Sequence, residues 1–214
     1  MTPGRLYCRP LALQGAGFGR IAAVAHDFAA RDTLFDDAPG VVAWREDIAF
    51  QDLDETVSPP REPVLVSARI AFLQLESVSE GEALVGVVAS FSSLASAARY
   101  WLAEGRGFSP TALDIDLRGV LDDPDQAGWL AGYSIATDRG LESFVADPGR
   151  GLAGPPPQGE VRSLRIRGSQ GDMELNQALE LTLADPGDAR WFEAAQDIRS
   201  AYALVAAGRP ASLV

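Results

Sequence analysis

Two long apolar runs constrain this chain more than any other feature: PVLVSARIAFLQL from Pro63 to Leu75, and ALVGVVASF from Ala83 to Phe91. In the first, Val64, Val66, Ala68, Ile70 and Phe72 recur at every second position, with Ser67 and Arg69 between them. That alternation predicts a strand with one buried and one half-wet face. The second run is apolar at both parities and rich in valine, as expected of a strand covered on both faces near the middle of a sheet. Between them, Glu76–Glu82 supplies the polar residues and the glycine of a hairpin loop. Ser92 or Ser93 can cap a following helix whose apolar face is Leu94, Ala97, Ala98, Trp101 and Leu102, with Gly105 as its stop.

Similar units follow. Leu113, Ile115 and Leu117 alternate with Asp114, Asp116 and Arg118, which predicts a strand. Asp122–Asp125 then turns the chain into a return strand carrying Trp129, Tyr133 and Ile135, and a short helix is expected from Asp138 to Ala146. A third unit has a strand near Val161–Arg167, a turn at Gly168–Gly171 and a second strand over Met173–Leu183. Asp185-Pro-Gly-Asp188 opens a last helix, with proline at its first position. Trp191, Ala195, Ile198, Tyr202 and Val205 form the apolar stripe of that helix, and Gly208 and Pro210 end it. Residues 5–13 read as a short strand that Pro10 bends or confines to an edge. Gly40–Phe50 reads as another strand, leading into an acidic connection with Pro59 and Pro60. The fold class is therefore α+β: a large, mostly antiparallel sheet built from strand–turn–strand–helix units, with helices packed mainly on one side. Residues 1–214 are read as one domain, in which the Pro/Gly-rich stretch 147–159 is a surface loop.

Composition excludes more chemistry than any motif supports. All 18 basic residues are arginine and the formal net charge is −12. Without lysine there is no Schiff-base chemistry, no pyridoxal phosphate anchor and no P-loop lysine. An acidic surface repels nucleic-acid phosphates and anionic lipids, so neither is expected as a partner. Cys8 is the only cysteine and His26 the only histidine. An internal disulfide, a thiolate zinc site and a multi-histidine metal site are thereby excluded. No apolar stretch is long enough for a membrane helix and no secretory signal opens the sequence, so a cytoplasmic location is expected.

Three local patterns invite chemistry. Gly15-Ala-Gly-Phe-Gly19 before an apolar run resembles a dinucleotide-binding turn, but Arg20 stands where that pattern needs its last small residue. His26 beside Asp27 lacks the local nucleophile that a catalytic base requires, and reads as structural. Asp114 and Asp116 would share one face of a strand, where two carboxylates can hold a divalent cation. The run LDIDLRGVLDD resembles the first motif of the haloacid-dehalogenase-like phosphatases. That resemblance implies an aspartate nucleophile followed two residues later by an acid. Where that family turns through glycine and threonine, Leu117 and Arg118 continue the strand pattern, and no lysine exists for its later position. The alternative is that Arg162, Arg165 and Arg167 of a neighbouring strand complement Asp114 and Asp116 across a solvent face.

The four tryptophans, Trp44, Trp101, Trp129 and Trp191, fall on apolar parities and are read as core. No catalytic residue, cofactor or metal is assigned. The first expectation is a non-catalytic binding or assembly protein of a bacterial cytoplasm, meeting a protein partner through an acidic surface or a sheet edge, with a homo-oligomer as one form. The alternatives are a carboxylate-based, possibly metal-dependent hydrolase using Asp114 and Asp116, or a small-ligand pocket between sheet and helices.

Overall fold

The computed structural model describes residues 4–14, 18–24, 39–50, 64–75, 82–91, 110–111, 116–123, 128–147, 152 and 155–207. The predicted helix after Ser92, the glycine cluster at 15–17, His26, Asp114 and Trp101 lie outside them.

Ten strands form one sheet: β1 (Arg5–Gln14), β2 (Val41–Phe50), β3 (Val64–Gln74), β4 (Glu82–Ala89), β5 (Pro110–Thr111), β6 (Leu130–Thr137), β7 (Gly140–Val145), β8 (Glu160–Gly168), β9 (Gly171–Asn176) and β10 (Leu181–Ala184). Their spatial order is β2-β3-β4-β1-β10-β9-β8-β6-β7, with β5 beside the far end of β1. Every neighbouring pair is antiparallel. Among the described residues three helices accompany the sheet: α1 (Phe18–Val24), α2 (Leu117–Asp122) and α3 (Trp191–Ala207). The α+β architecture with a large antiparallel sheet is thus the one that the apolar runs predict.

The first strand holds the two halves of the sheet together. β1 pairs with β4 along Tyr7–Gln14 and with β10 along Arg5–Cys8. Pro10 is therefore neither at an edge nor at a bend. It sits in a central strand, opposite Gly86 of β4, where the β10 ladder has ended at Cys8 and the β5 ladder has not yet begun at Ala12. A missing N–H costs nothing in such a gap, which is how a central strand tolerates proline.

β4 behaves as its two-sided apolarity requires. Leu84 and Val88 join the core beneath α3, while Val85, Val87 and Ala89 are buried on the opposite face. β3 is covered more fully than its alternation suggests, since Ala71 and Leu73 are buried as well as Ala68, Ile70 and Phe72. Arg69 is accommodated on the α3 side. Its Nη2 lies 2.6 Å from Asp188 Oδ1, and its guanidinium sits 5.9 Å from the centre of the Trp191 ring.

The helix α3 carries the predicted stripe. Trp191, Ala194, Ala195, Ile198, Ala201, Tyr202 and Val205 are all buried, at the i, i+3, i+4, i+7 spacing of one helical face. Burying each large side chain among them contributes roughly 1.5–3 kcal/mol. The helix begins later than its proline suggested. Asp185 Oδ1 accepts the Gly187 N–H in a local turn, a 3-10 turn spans Asp188–Arg190, and α-helix starts only at Trp191.

Three further expectations are corrected. The strand predicted through Leu117 gives way to α2, with Asp116 as its N-cap. The helix predicted over Asp138–Ala146 is instead β7, the return arm of a hairpin with β6. Its residues read equally well at both periods, and tertiary pairing decides: Phe144 stacks on Tyr133 of β6, ring centroids 4.7 Å apart. Last, the long strand over Met173–Leu183 is broken into β9 and β10. Asn176 Oδ1 accepts the Glu180 N–H at 3.0 Å, and Leu179 adopts φ of 58°. Leu179 stays in the core, and its carbonyl accepts the Tyr202 hydroxyl at 2.8 Å. That hydroxyl also lies 3.1 Å from the Cys8 carbonyl, so Tyr202 links the first strand, the β9–β10 turn and the last helix.

Candidate functional site

The β6–β7 hairpin ends the sheet. Its register runs from Thr137↔Gly140 through Ile135↔Glu142 and Tyr133↔Phe144 to Gly132↔Val145. A two-residue connection makes Thr137 and Gly140 a hydrogen-bonded pair, and such pairs then recur at every second position. The Ala146 N–H accordingly donates to the Ala131 carbonyl at 2.8 Å. The even-numbered residues of β7 therefore turn their backbone groups to β6. Leu141, Ser143 and Val145 turn theirs outward, and among the described residues no strand lies on that side.

The same three residues are exposed on the sheet face opposite the core. Leu141 is 68 % exposed and Val145 71 %, while Phe144 turns inward against the core. Trp129, at the start of β6, is 53 % exposed, which corrects its assignment to the core; Trp191, at 1 %, is core as expected. The side chains of Trp44 and Trp101 lie outside the described residues. Three large apolar side chains of this corner hairpin are thus exposed. Across that face Arg165 stands opposite Glu174, and Arg167 opposite Asp172.

Gly132 fixes this geometry. A Cβ built there would lie 2.3 Å from the Phe144 carbonyl oxygen, so only glycine lets β7 approach β6 at this point. A register shift between Leu130 and Gly132 turns the start of β6 relative to β8, and such bulges commonly re-aim side chains near a sheet edge. Under the hairpin, burial pushes the Tyr133 phenol above its ordinary pKa.

Of the two candidate carboxylates, Asp116 is described, and it stands at a helix start rather than within a strand. Asp116 is exposed and caps α2, its Oδ1 accepting the Arg118 N–H at 2.9 Å. Arg118 turns to Asp122 at 2.7 Å and donates to the carbonyls of Pro157 and Pro156, which fastens the 155–157 stretch of the Pro/Gly-rich loop to α2. A cavity of about 190 Å³ brings Asp116 together with Glu160, Val161 and Gln177. The β8 strand does run beside Asp116, but its arginines are engaged elsewhere: Arg162 lies 2.8 Å from Glu160 and also bonds Gln177. Among the described residues no cluster of three or more histidine, cysteine, aspartate or glutamate side chains could hold a metal ion.

Cys8 is fully buried, and burial pushes its thiol up to about 12. A thiol so held is inert as a nucleophile at neutral pH. No helix among the described residues is long and apolar enough to cross a membrane. Outward-facing backbone on β7 was hidden from sequence reasoning because the segment was assigned to a helix. The signal present was the Asp138-Arg139-Gly140 turn between two short apolar runs. The sequence matches no protein-family model and no curated protein.

Proposed function

We propose that this chain is a non-catalytic binding or assembly protein of a bacterial cytoplasm, which recognises an extended segment of a protein partner through the outer edge of β7. The observation that carries the reading is the coincidence on Leu141, Ser143 and Val145 of outward backbone groups and exposed side chains. A strand added there gains main-chain hydrogen bonds from the edge and apolar contact from Leu141, Val145 and Trp129. Edges that must stay unpaired usually carry proline, lysine or inward-pointing charge. β7 has no proline and no lysine, and its single charge, Glu142, on the face of Phe144, is engaged by the Thr137 hydroxyl. A formal charge of −12 favours a partner whose binding segment is flanked by basic residues, which would speed encounter at low salt.

Ser143→Pro tests the reading. Position 143 directs its N–H away from β6, so proline leaves the β6–β7 ladder intact and removes one donor from the edge. The variant should fold with a melting temperature within roughly 4 °C of the parent. It should lose the partner proteins that immobilised wild-type chain retains from lysate of the source cells. A folded variant that still retains them contradicts recognition through this edge.

A further inference from the structure

A second surface feature stands at the far side of the sheet order, where the Pro39–Gly40 turn and the end of β3 meet α3. A cavity of about 420 Å³ lies there, lined by Pro39, Gly40, Gln74, Leu75, Gln196, Arg199, Ser200 and Ala203. Arg199 is half-buried in its wall. Three backbone carbonyls hold the guanidinium: Nε donates to Gln74 at 3.0 Å, and Nη2 donates to Pro39 at 2.9 Å and Gly40 at 3.0 Å.

A guanidinium has five N–H donors. Three are satisfied here, which leaves the Nη1 pair without an acceptor among the described residues. Other arginines of this acidic chain sit against carboxylates: Arg9 against Glu180, Arg69 against Asp188, Arg118 against Asp122, and Arg162 against Glu160. Arg199 has no such neighbour among the described residues, and burial alone acts on its pKa, lowering it. The carbonyls fix the orientation of the cation without neutralising it. Beside it, the Ser200 hydroxyl and the amides of Gln74 and Gln196 offer neutral donors, while Leu75, Ala203 and Pro39 supply an apolar wall.

We propose that this cavity is a binding site for the carboxylate of a small organic acid, with Arg199 as the counter-charge and the apolar wall taking the ligand's carbon skeleton. One cation flanked by neutral donors matches a monoanion. A phosphate dianion would call for a second positive charge, and the described residues of the lining offer none. The volume lies in the lower part of the range of small-ligand pockets, about 300–1,000 Å³. The site is separate from the β7 edge and does not depend on it.

The test is a titration of the isotope-labelled full chain with sodium butyrate, followed by amide shifts in NMR spectra at constant ionic strength set with chloride. Saturable shifts are expected at Gly40 and at residues 196–200. Gln196 is exposed and three residues before Arg199 on the same helix, so Gln196→Glu brings an internal carboxylate to the cation while preserving the fold. That variant should bind butyrate at least about tenfold more weakly. Absence of saturable shifts in the parent overturns the site, as does an unchanged affinity in Gln196→Glu. Inorganic phosphate binding more tightly than butyrate overturns the ligand class.

Discussion

Replacing Tyr202 by phenylalanine removes one oxygen from the centre of the molecule and leaves its ring packing in place. The ring is 2 % exposed, and the hydroxyl reaches two carbonyls, Leu179 at 2.8 Å and Cys8 at 3.1 Å. A phenol has a single proton, so the two bonds share one donor, and the net gain from such a bond is about 0.5–1.5 kcal/mol. The larger effect is on what remains, because a buried acceptor left without its donor costs about 1–3 kcal/mol. The expected loss is therefore roughly 1–3 kcal/mol, or about 2–12 °C in melting temperature for a domain of this size. Urea unfolding monitored by circular dichroism and by tryptophan fluorescence measures it. The midpoint should fall with little change in slope, since the surface exposed on unfolding is unchanged. A midpoint equal to or above that of the parent would refute the idea that Tyr202 ties β1 and the β9–β10 turn to α3.

Three other outcomes follow from the core. Gly86→Ala places a Cβ 3.0 Å from Cys8 Sγ and should cost roughly 1–3 kcal/mol by overpacking, with part of that cost relieved in a Cys8→Ala background. Alkaline pH should destabilise the chain through Cys8, whose folded pKa of about 12 exceeds the ordinary thiol value of 9.0. Below that lower value the thiol is neutral in both states and stability is complete. As pH rises between the two values the unfolded state releases a proton that the folded state keeps, and about 1.4 kcal/mol is lost per pH unit. In Cys8→Ala, stability measured by urea titration should fall less steeply over that window. Ile198→Asp puts a charge at a position 0 % exposed on the sheet-facing side of α3, and should give insoluble or unfolded protein by gel filtration. A soluble, cooperatively melting variant would mean that α3 is not an integral cover of the sheet.

The elements legible in the sequence are those in which period, flanking turn and burial agree. The two-sided valine run became β4, and the Trp191–Val205 stripe became the buried face of α3. The failures share a cause: short segments whose residues fit two periods, decided by a pairing or turn that the segment's own periodicity does not show. β7 pairs with β6 because Phe144 finds Tyr133, and Met173–Leu183 breaks because Asn176 closes a turn that places Leu175 opposite Leu181. Pro10 read as an edge signal because a gap between two ladders is invisible from one strand alone. The β7 edge depended on which residues face outward, a property of register. The carboxylate reading depended on a strand continuing through Leu117, where Asp116 caps a helix instead.

Residue-resolved hydrogen exchange of the β7 amides tests the central claim most directly. In the isolated chain the amides of Glu142, Phe144 and Ala146 should exchange slowly, because they bond to β6, and those of Leu141, Ser143 and Val145 rapidly. On addition of a partner that wild-type protein captures and Ser143→Pro does not, the three odd-numbered amides should slow at least about tenfold, since each becomes a ladder donor. Protection of those three amides in the isolated chain, or no slowing when the partner binds, would contradict recognition through this edge.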